Sequence, residues 1–257
     1  MGSDRSSLRK KCIKPFLETC SDLKYNDMVR EILLFCVLLL VSISCTTLNS
    51  FSTPQNNLEI KHVYNYVDEN KIMHVLGELQ NVGNKAMTNV TVGATFTDPE
   101  GNIINEYNRS PELRTINPGF VSPFEVLFID QKNVDKVKDF KLHVKGTEVR
   151  PVPVNLQIKV DSSRQDILGF YYISGIIFNS ADNGANNSIA IATLYDKDGR
   201  VIAIGRGLAE PKDISGNSSA NFGLAIIDKL QTHKGKSYSV VADSDSYVSI
   251  PTTTQEK

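Results

Sequence analysis

Met73-His74-Val75-Leu76-Gly77-Glu78-Leu79-Gln80-Asn81 returns 98 positions later as Tyr171-Tyr172-Ile173-Ser174-Gly175-Ile176-Ile177-Phe178-Asn179. Apolar side chains recur at every second position in both stretches, through Met73, Val75 and Leu79 and through Tyr171, Ile173 and Ile177. That is the period of a half-buried strand, not the 3.6 of a helix. Glycine stands mid-strand in both, at Gly77 and Gly175, and asparagine closes both. The same offset joins Ala94 to Ala192, Asp98 to Asp196, Gly101 to Gly199, Phe124 to Phe222 and Asp130 to Asp228. The frame runs from Leu58/Leu156 to Phe140/Tyr238, so the chain carries two copies of one module.

Around these stretches the period stays at two. Leu58, Ile60, Tyr64 and Tyr66 alternate with polar residues, as do Val90, Val92, Ala94 and Phe96, and Ile189 and Ile191. Turn residues punctuate the runs: Val82-Gly83-Asn84, Asp98-Pro99-Glu100-Gly101 and Asn117-Pro118-Gly119, then Asp182-Asn183-Gly184, Asp196-Lys197-Asp198-Gly199 and Ser215-Gly216-Asn217. Short strands at this spacing predict an all-β chain of two tandem immunoglobulin-like antiparallel β-sandwiches, over residues 57–149 and 154–250. A short helical turn is expected within Gln131 to Asp139. Pro151-Val152-Pro153 reads as a stiff joint, and each copy is expected to fold alone. Glycine weakens a strand interior. Its identical placement at Gly77 and Gly175 therefore predicts a bulge or close packing against a large side chain.

The N-terminus differs from the modules. Ile32 to Ser44 is uncharged and apolar, and as a helix spans about 20 Å, against roughly 30 Å of bilayer hydrocarbon. A signal peptide or membrane anchor is expected over residues 31–51, including a transmembrane helix if uncleaved. Arg5, Arg9, Lys10, Lys11, Lys14, Lys24 and Arg30 precede the run, and the next positive charge is Lys61. This asymmetry predicts a cytoplasmic segment 1–30 and modules on the extracytoplasmic side. Met28-Val29-Arg30-Glu31 would itself open a well-formed signal sequence. Ser42-Ile43-Ser44 before Cys45 has the form of a cleavage and lipidation site, which makes Cys45 a candidate lipoprotein cysteine. All four cysteines lie at or before position 45, so the modules hold neither a disulfide framework nor thiolate chemistry. The net charge of −1 shows no basic excess and argues against nucleic acid.

Ala192-Thr193-Leu194-Tyr195-Asp196-Lys197-Asp198-Gly199-Arg200-Val201-Ile202 resembles the signature of FxLYD-type domains. Ala94-Thr95-Phe96-Thr97-Asp98 opens the equivalent stretch of the first copy, and both copies have alanine at the name-giving Phe. The resemblance implies immunoglobulin-like modules of exported bacterial and archaeal proteins, and no transferable enzymatic activity.

Candidate sites are few. His62, His74 and His143 fall on three strands of the first copy and are the candidate metal ligands, on the premise that first and last strands are neighbours. The second copy has Val160, Tyr172 and Val241 there, which are packing residues. Asp98-Pro99-Glu100-Gly101 and Asp196-Lys197-Asp198-Gly199 offer paired carboxylates for calcium, or plain β-turns. Four sequons make Asn89, Asn108, Asn186 and Asn217 candidate glycosylation sites. No nucleophile elbow, P-loop or zinc-protease motif occurs. The expected function is non-catalytic: an exported or membrane-anchored surface protein without cofactor, binding an extracellular protein or envelope component. The alternative is an exported metal- or solute-binding protein using the histidine face.

Overall fold

The computed structural model describes residues 57–255; the helix expected over 31–51, the segment 1–30 and Cys45 lie outside the described residues. Among the described residues, no helix is long and apolar enough to cross a membrane. The first copy comprises β1 (Leu58–Val67), β2 (Met73–Asn81), β3 (Ala86–Thr97), β4 (Ile103–Arg109), β5 (Thr115–Ile116), β6 (Val121–Phe128) and β7 (Asp139–Val149). The second comprises β8 (Leu156–Gln165), β9 (Tyr171–Asn179), β10 (Ile189–Tyr195), β11 (Val201–Glu210), β12 (Ser218–Ile226), β13 (Ser237–Asp243) and β14 (Thr252–Gln255), with the one-turn helix α1 (Lys229–Thr232) before β13. A 3-10 turn at Val134–Lys136 supplies the helical turn expected in the first copy.

The chain is all-β, and the 98-residue frame is a structural frame. β8 and β9 begin and end at the equivalents of β1 and β2, and Leu58 pairs with Asn81 as Leu156 pairs with Asn179. In the first copy β1-β2-β6 forms one sheet, and β3, flanked by β4, β5 and β7, forms the other. In the second copy the equivalent strands join into one seven-stranded sheet, because β11 pairs with β12 at Ala209↔Phe222 and Glu210↔Asn221. The first copy has Pro111 and Pro123 at the places of Ala209 and Asn221. Proline brings no N–H to a ladder, and this seam is crossed instead by the Glu112 N–H to Pro123 carbonyl bond (2.9 Å) and by Leu113 N–H to Ser122 Oγ (2.9 Å).

The repeated glycines and asparagines now have causes. Gly77 lies directly across from Phe124, and Gly175 from Phe222. A Cβ on Gly77 would sit 2.7 Å from Phe124 Cζ; one on Gly175 would sit 2.9 Å from Phe222 Cε1 and collide with the Lys159 carbonyl. The neighbouring strand is bulged at the same level, between Lys61 and Tyr64 and between Val160 and Ser162. Both the expected bulge and the expected large side chain are present. Asn81 is fully buried; its Nδ2 donates to the carbonyls of Lys85 and Ile116, and its Oδ1 accepts from Gly83 N–H. Asn179 repeats this with the carbonyls of Asn183 and Ile214 and the N–H of Ala181. A buried amide must satisfy its donors and acceptor, and here it does so by pinning two turns.

Gln55–Lys257 is one compact unit. Two apolar clusters fill it, and their boundary is not the boundary between copies. Ala190, Ala192, Leu194, Tyr238, Val240 and Ala242 point into the second copy's own core. Alternation sends Ile191 and Val241 to the opposite side, where they, with Val248, join the cluster of the first copy. On β2, Val75 and Leu79 belong to the first copy's core, while Leu76 and Glu78 point away from it and are nevertheless buried. The outer face of β1-β2-β6 is therefore covered by the outer face of β10-β11-β13. The joint is fixed as well: Asn117 Nδ2 donates to the Val152 carbonyl (2.7 Å), and Val152 N–H returns to Asn117 Oδ1 (2.9 Å).

Candidate functional site

Polar side chains gather where the copies meet, some from the outward phase of their strands and others, such as Glu112, Arg114, Asp228 and Lys234, from the connections between strands. Tyr195 Oη donates to Glu78 Oε1 (2.5 Å), and His62 Nδ1 lies 2.7 Å from Glu78 Oε2. Arg206 grips Glu112 with two nitrogens (2.8 and 3.0 Å). Arg114 reaches Asp243 at 2.7 Å and Asp245 at 3.6 Å. Tyr66 Oη donates to Asp228, while Arg200 and Lys234 stand over the Tyr64 ring at 5.2 and 5.8 Å. Paired charges and satisfied hydroxyls allow polar residues to be buried at this seam.

His74 sits at its edge. Nδ1 is 2.7 Å from Glu125, Nε2 is 3.7 Å from Asp68, and the ring stacks on Tyr66 with centroids 4.6 Å apart. The Nε2 atom is buried without a hydrogen bond. His62 lies in the β1 bulge in the left-handed region, φ 55°. His143 is on β7, exposed, 3.6 Å from Glu106. The three histidines thus share no carboxylate: Glu78 serves His62, Glu125 and Asp68 serve His74, and Glu106 serves His143. The premise that put them on adjoining strands does not hold: β1 pairs with β2 in one sheet, and β7 with β3 in the other. Among the described residues, no group of three or more His, Cys, Asp or Glu is arranged to hold a metal ion.

The two aspartate turns serve their own backbone. Asp98 accepts from Asn102 N–H (2.8 Å) and its side-chain amide (3.0 Å). Asp196 accepts from the N–H groups of Asp198 and Arg200 (both 2.9 Å) and from the Arg200 guanidinium. Gly101 and Gly199 supply φ of 85° and 76°, the left-handed position such turns need. Of the sequon asparagines, Asn89, Asn108, Asn186 and Asn217 are all exposed. The structural counterpart of Asn89 is Asn187, one residue beyond the sequon residue Asn186; both counterparts are left-handed, φ 49° and 52°.

A cleft of about 190 Å³ opens beside the seam, lined by Tyr107, Arg109, Glu112, Glu125, Leu127 and Arg206 among others. The second copy has glycines, Gly205 and Gly207, at the places of Tyr107 and Arg109. A Cβ on Gly207 would overlap the Gly223 carbonyl. Glycine lets β11 close onto β12, and its absence holds β4 away from β6. No sequence motif marked this cleft; only the comparison of Tyr107-Asn108-Arg109 with Gly205-Arg206-Gly207 points to it.

The seam is proton-linked. Burial pushes the Asp243 carboxyl up to about 6 against the pull of Arg114, and burial raises Glu112 against Arg206. Burial of His74 opposes its charged form, but the hydrogen bond to Glu125 and the charges of Glu125, Asp68 and Asp228 prevail and raise it. Each group holds its proton more tightly folded than unfolded. The stability they contribute is lost as pH rises, for Asp243 from about 4 through 6 and for His74 above about 6.5. For Asp243 the difference between pH 5 and pH 8 is about 1–2 kcal/mol, or about 2–6 °C in Tm. Thermal melts are expected to show the higher Tm at pH 5, and Asp243→Asn to reduce the difference. A Tm flat across this window, or higher at pH 8, contradicts the assignment.

No family model matches the chain, and no curated protein matches it. Solved structures similar to it include the exo-chitosanase CsxA of Amycolatopsis orientalis, at TM-score 0.27 and 9% identity over 76% of this chain and 26% of that one. Red sea bream transglutaminase gives TM-score 0.24 and 12% identity over 78% and 31%. A β-glucuronidase of glycoside hydrolase family 2 gives 0.24 and 11% over 77% and 25%. The chain spans about a quarter to a third of the length of these proteins, and likenesses of this size carry no statement about activity.

Proposed function

We propose that this chain is a non-catalytic protein of the cell exterior, secreted or held at the membrane by its N-terminal segment, whose paired sandwiches bind another protein or an envelope component. The observation that carries this is how the two copies differ. The residues they share are those of the fold: Gly77/Gly175 under a phenylalanine, Asn81/Asn179 pinning turns, Asp98/Asp196 closing hairpins. Core positions change between apolar residues, as at Phe96/Leu194 and Phe128/Ile226, whereas on the outer faces charge and polarity change, as at Glu78/Ile176 and Glu106/Ile204. The charge asymmetry around Ile32–Ser44 and the resemblance to FxLYD-type modules support display outside the cytoplasm. Lipidation at Cys45 and glycans at Asn89, Asn108, Asn186 or Asn217 are consistent with that placement.

Lys145 is exposed on β7, and the described residues contain no cysteine. Lys145→Cys, in a chain with the four N-terminal cysteines replaced by serine, is expected to react with a membrane-impermeant maleimide in intact cells. Reaction only after permeabilisation contradicts the exterior placement.

A further inference from the structure

The two copies meet through unlike faces. Copy one contributes the outer side of β1-β2-β6, and copy two the outer side of β10-β11-β13, with Ile191, Ile204 and Val241. Such a contact between like modules is heterologous: it leaves one face of each kind open for a further module.

The open counterpart of copy one's docking face is the outer side of β8-β9-β12. Register places Tyr172, Ile176 and Phe178 along β9 on that side, with Lys159 and Arg164 of β8 to one flank and Asn221 of β12 to the other. A depression of about 560 Å³ opens at the Tyr172 end of this face, lined by Ser162, Arg164, Tyr172, Ser174, Gly223 and Arg206 of the seam among others. Copy one has His74, Glu78 and Gln80 at the places of Tyr172, Ile176 and Phe178. Along this row the open face, whose Tyr172, Ile176 and Phe178 are half-buried, is the more apolar at three positions and the less apolar at the fourth, where Ser174 stands at the place of the buried Leu76. The open counterpart of copy two's docking face is the outer side of β3-β4-β7, and it is the reverse case. Thr91, Glu106 and His143 stand there in place of Ile189, Ile204 and Val241, with Glu106 and His143 both exposed.

We propose that the open face of β8-β9-β12 docks a sandwich module of another protein whose outer sheet is aliphatic, of the kind copy two presents to copy one. The polar β3-β4-β7 face keeps this chain from serving as its own partner. The mode of contact is the one already used inside the chain, carried one module further. Polar outer faces end stacks of repeats, and burying Glu106 or Lys141 against Ile176 would leave a charge unpaired. The proposal rests on the reading of the chain as a binding protein. Its test is blind to membrane sidedness, so it and the maleimide labelling fail independently.

The test uses the full-length chain in detergent. Thr91→Ile, Glu106→Ile and His143→Val rebuild an aliphatic face, and Ile176→Lys in the same chain disables its own open face. Gly93 stays, because a Cβ there would lie 2.7 Å from Asn108 Oδ1. Immobilised, this variant is expected to bind wild-type chain saturably at 1:1, at least about tenfold more weakly when the wild-type partner carries Ile176→Lys. Immobilised wild type is expected not to bind wild type. Absence of binding, binding indifferent to Ile176→Lys, or wild-type self-binding overturns the proposal. Should the fourfold variant lose its β-type circular dichroism, His143→Val with Ile176→Lys carries the same comparison.

Discussion

Residues 154–257, expressed without the first copy, are expected to melt at least about 15 °C below the intact chain and to bind a hydrophobic dye. The second copy has a core of its own. Excision nevertheless uncovers Ile191, Val241 and Val248, which are 0%, 5% and 1% exposed in the pair. Each fully buried side chain of this size is worth about 1.5–3 kcal/mol, so the three together reach about 4.5–9 kcal/mol as an upper bound. A domain's whole stability is about 5–15 kcal/mol. Excision also strips Glu78 from Tyr195, Glu112 from Arg206 and Arg114 from Asp243. The sequence predicts a module that folds alone; the shared cluster predicts that the module, once alone, is markedly less stable than in the pair. A melt within a few degrees of the intact chain sinks this expectation.

Gly175→Val is expected to destabilise by about 3 kcal/mol or more, at the upper end of overpacking costs. Its Cβ would collide with the Lys159 carbonyl, a backbone atom that moves only with its strand, and press on the buried Phe222 ring. Gly77→Val should cost less, about 1–3 kcal/mol, because its Cβ meets the Phe124 ring first and the Lys61 carbonyl only at 3.2 Å. Urea unfolding of the two variants measures both. Equal and small effects, within about 0.5 kcal/mol of wild type, would mean that the glycines are placed by chance.

Much of the fold was legible because it is local and repeated. Period two marked the strands, Asp98 and Asp196 with their glycines marked the turns, and the offset aligned Gly77 with Gly175 and Phe124 with Phe222 before their contact was known. What one copy does to the other was not legible. Alternation assigns a side chain to one side of a strand but does not say whether that side meets solvent or a second module. Glu78 illustrates the difficulty: a carboxylate on an outward position reads as exposed, yet it is buried between Tyr195 and His62. The histidines were misleading for the same reason. Val241 faces His143 across the alignment not because copy one lost a packing residue, but because copy two's position is covered and copy one's is open. Closure of the second copy into a seven-stranded sheet turned on Ala209 and Asn221 standing where the first copy has Pro111 and Pro123, a contrast visible in sequence but without meaning until β11 and β12 are known to meet.

Differential scanning calorimetry of the intact chain shows whether the two copies, joined through a shared apolar cluster, melt as one cooperative unit. A single endotherm is expected from the sandwiches, with calorimetric and van't Hoff enthalpies equal, and Leu76→Asp, which places a charge in the buried seam, is expected to lower or split it. Two separate endotherms in the wild-type chain, unmoved by Leu76→Asp, would contradict the account.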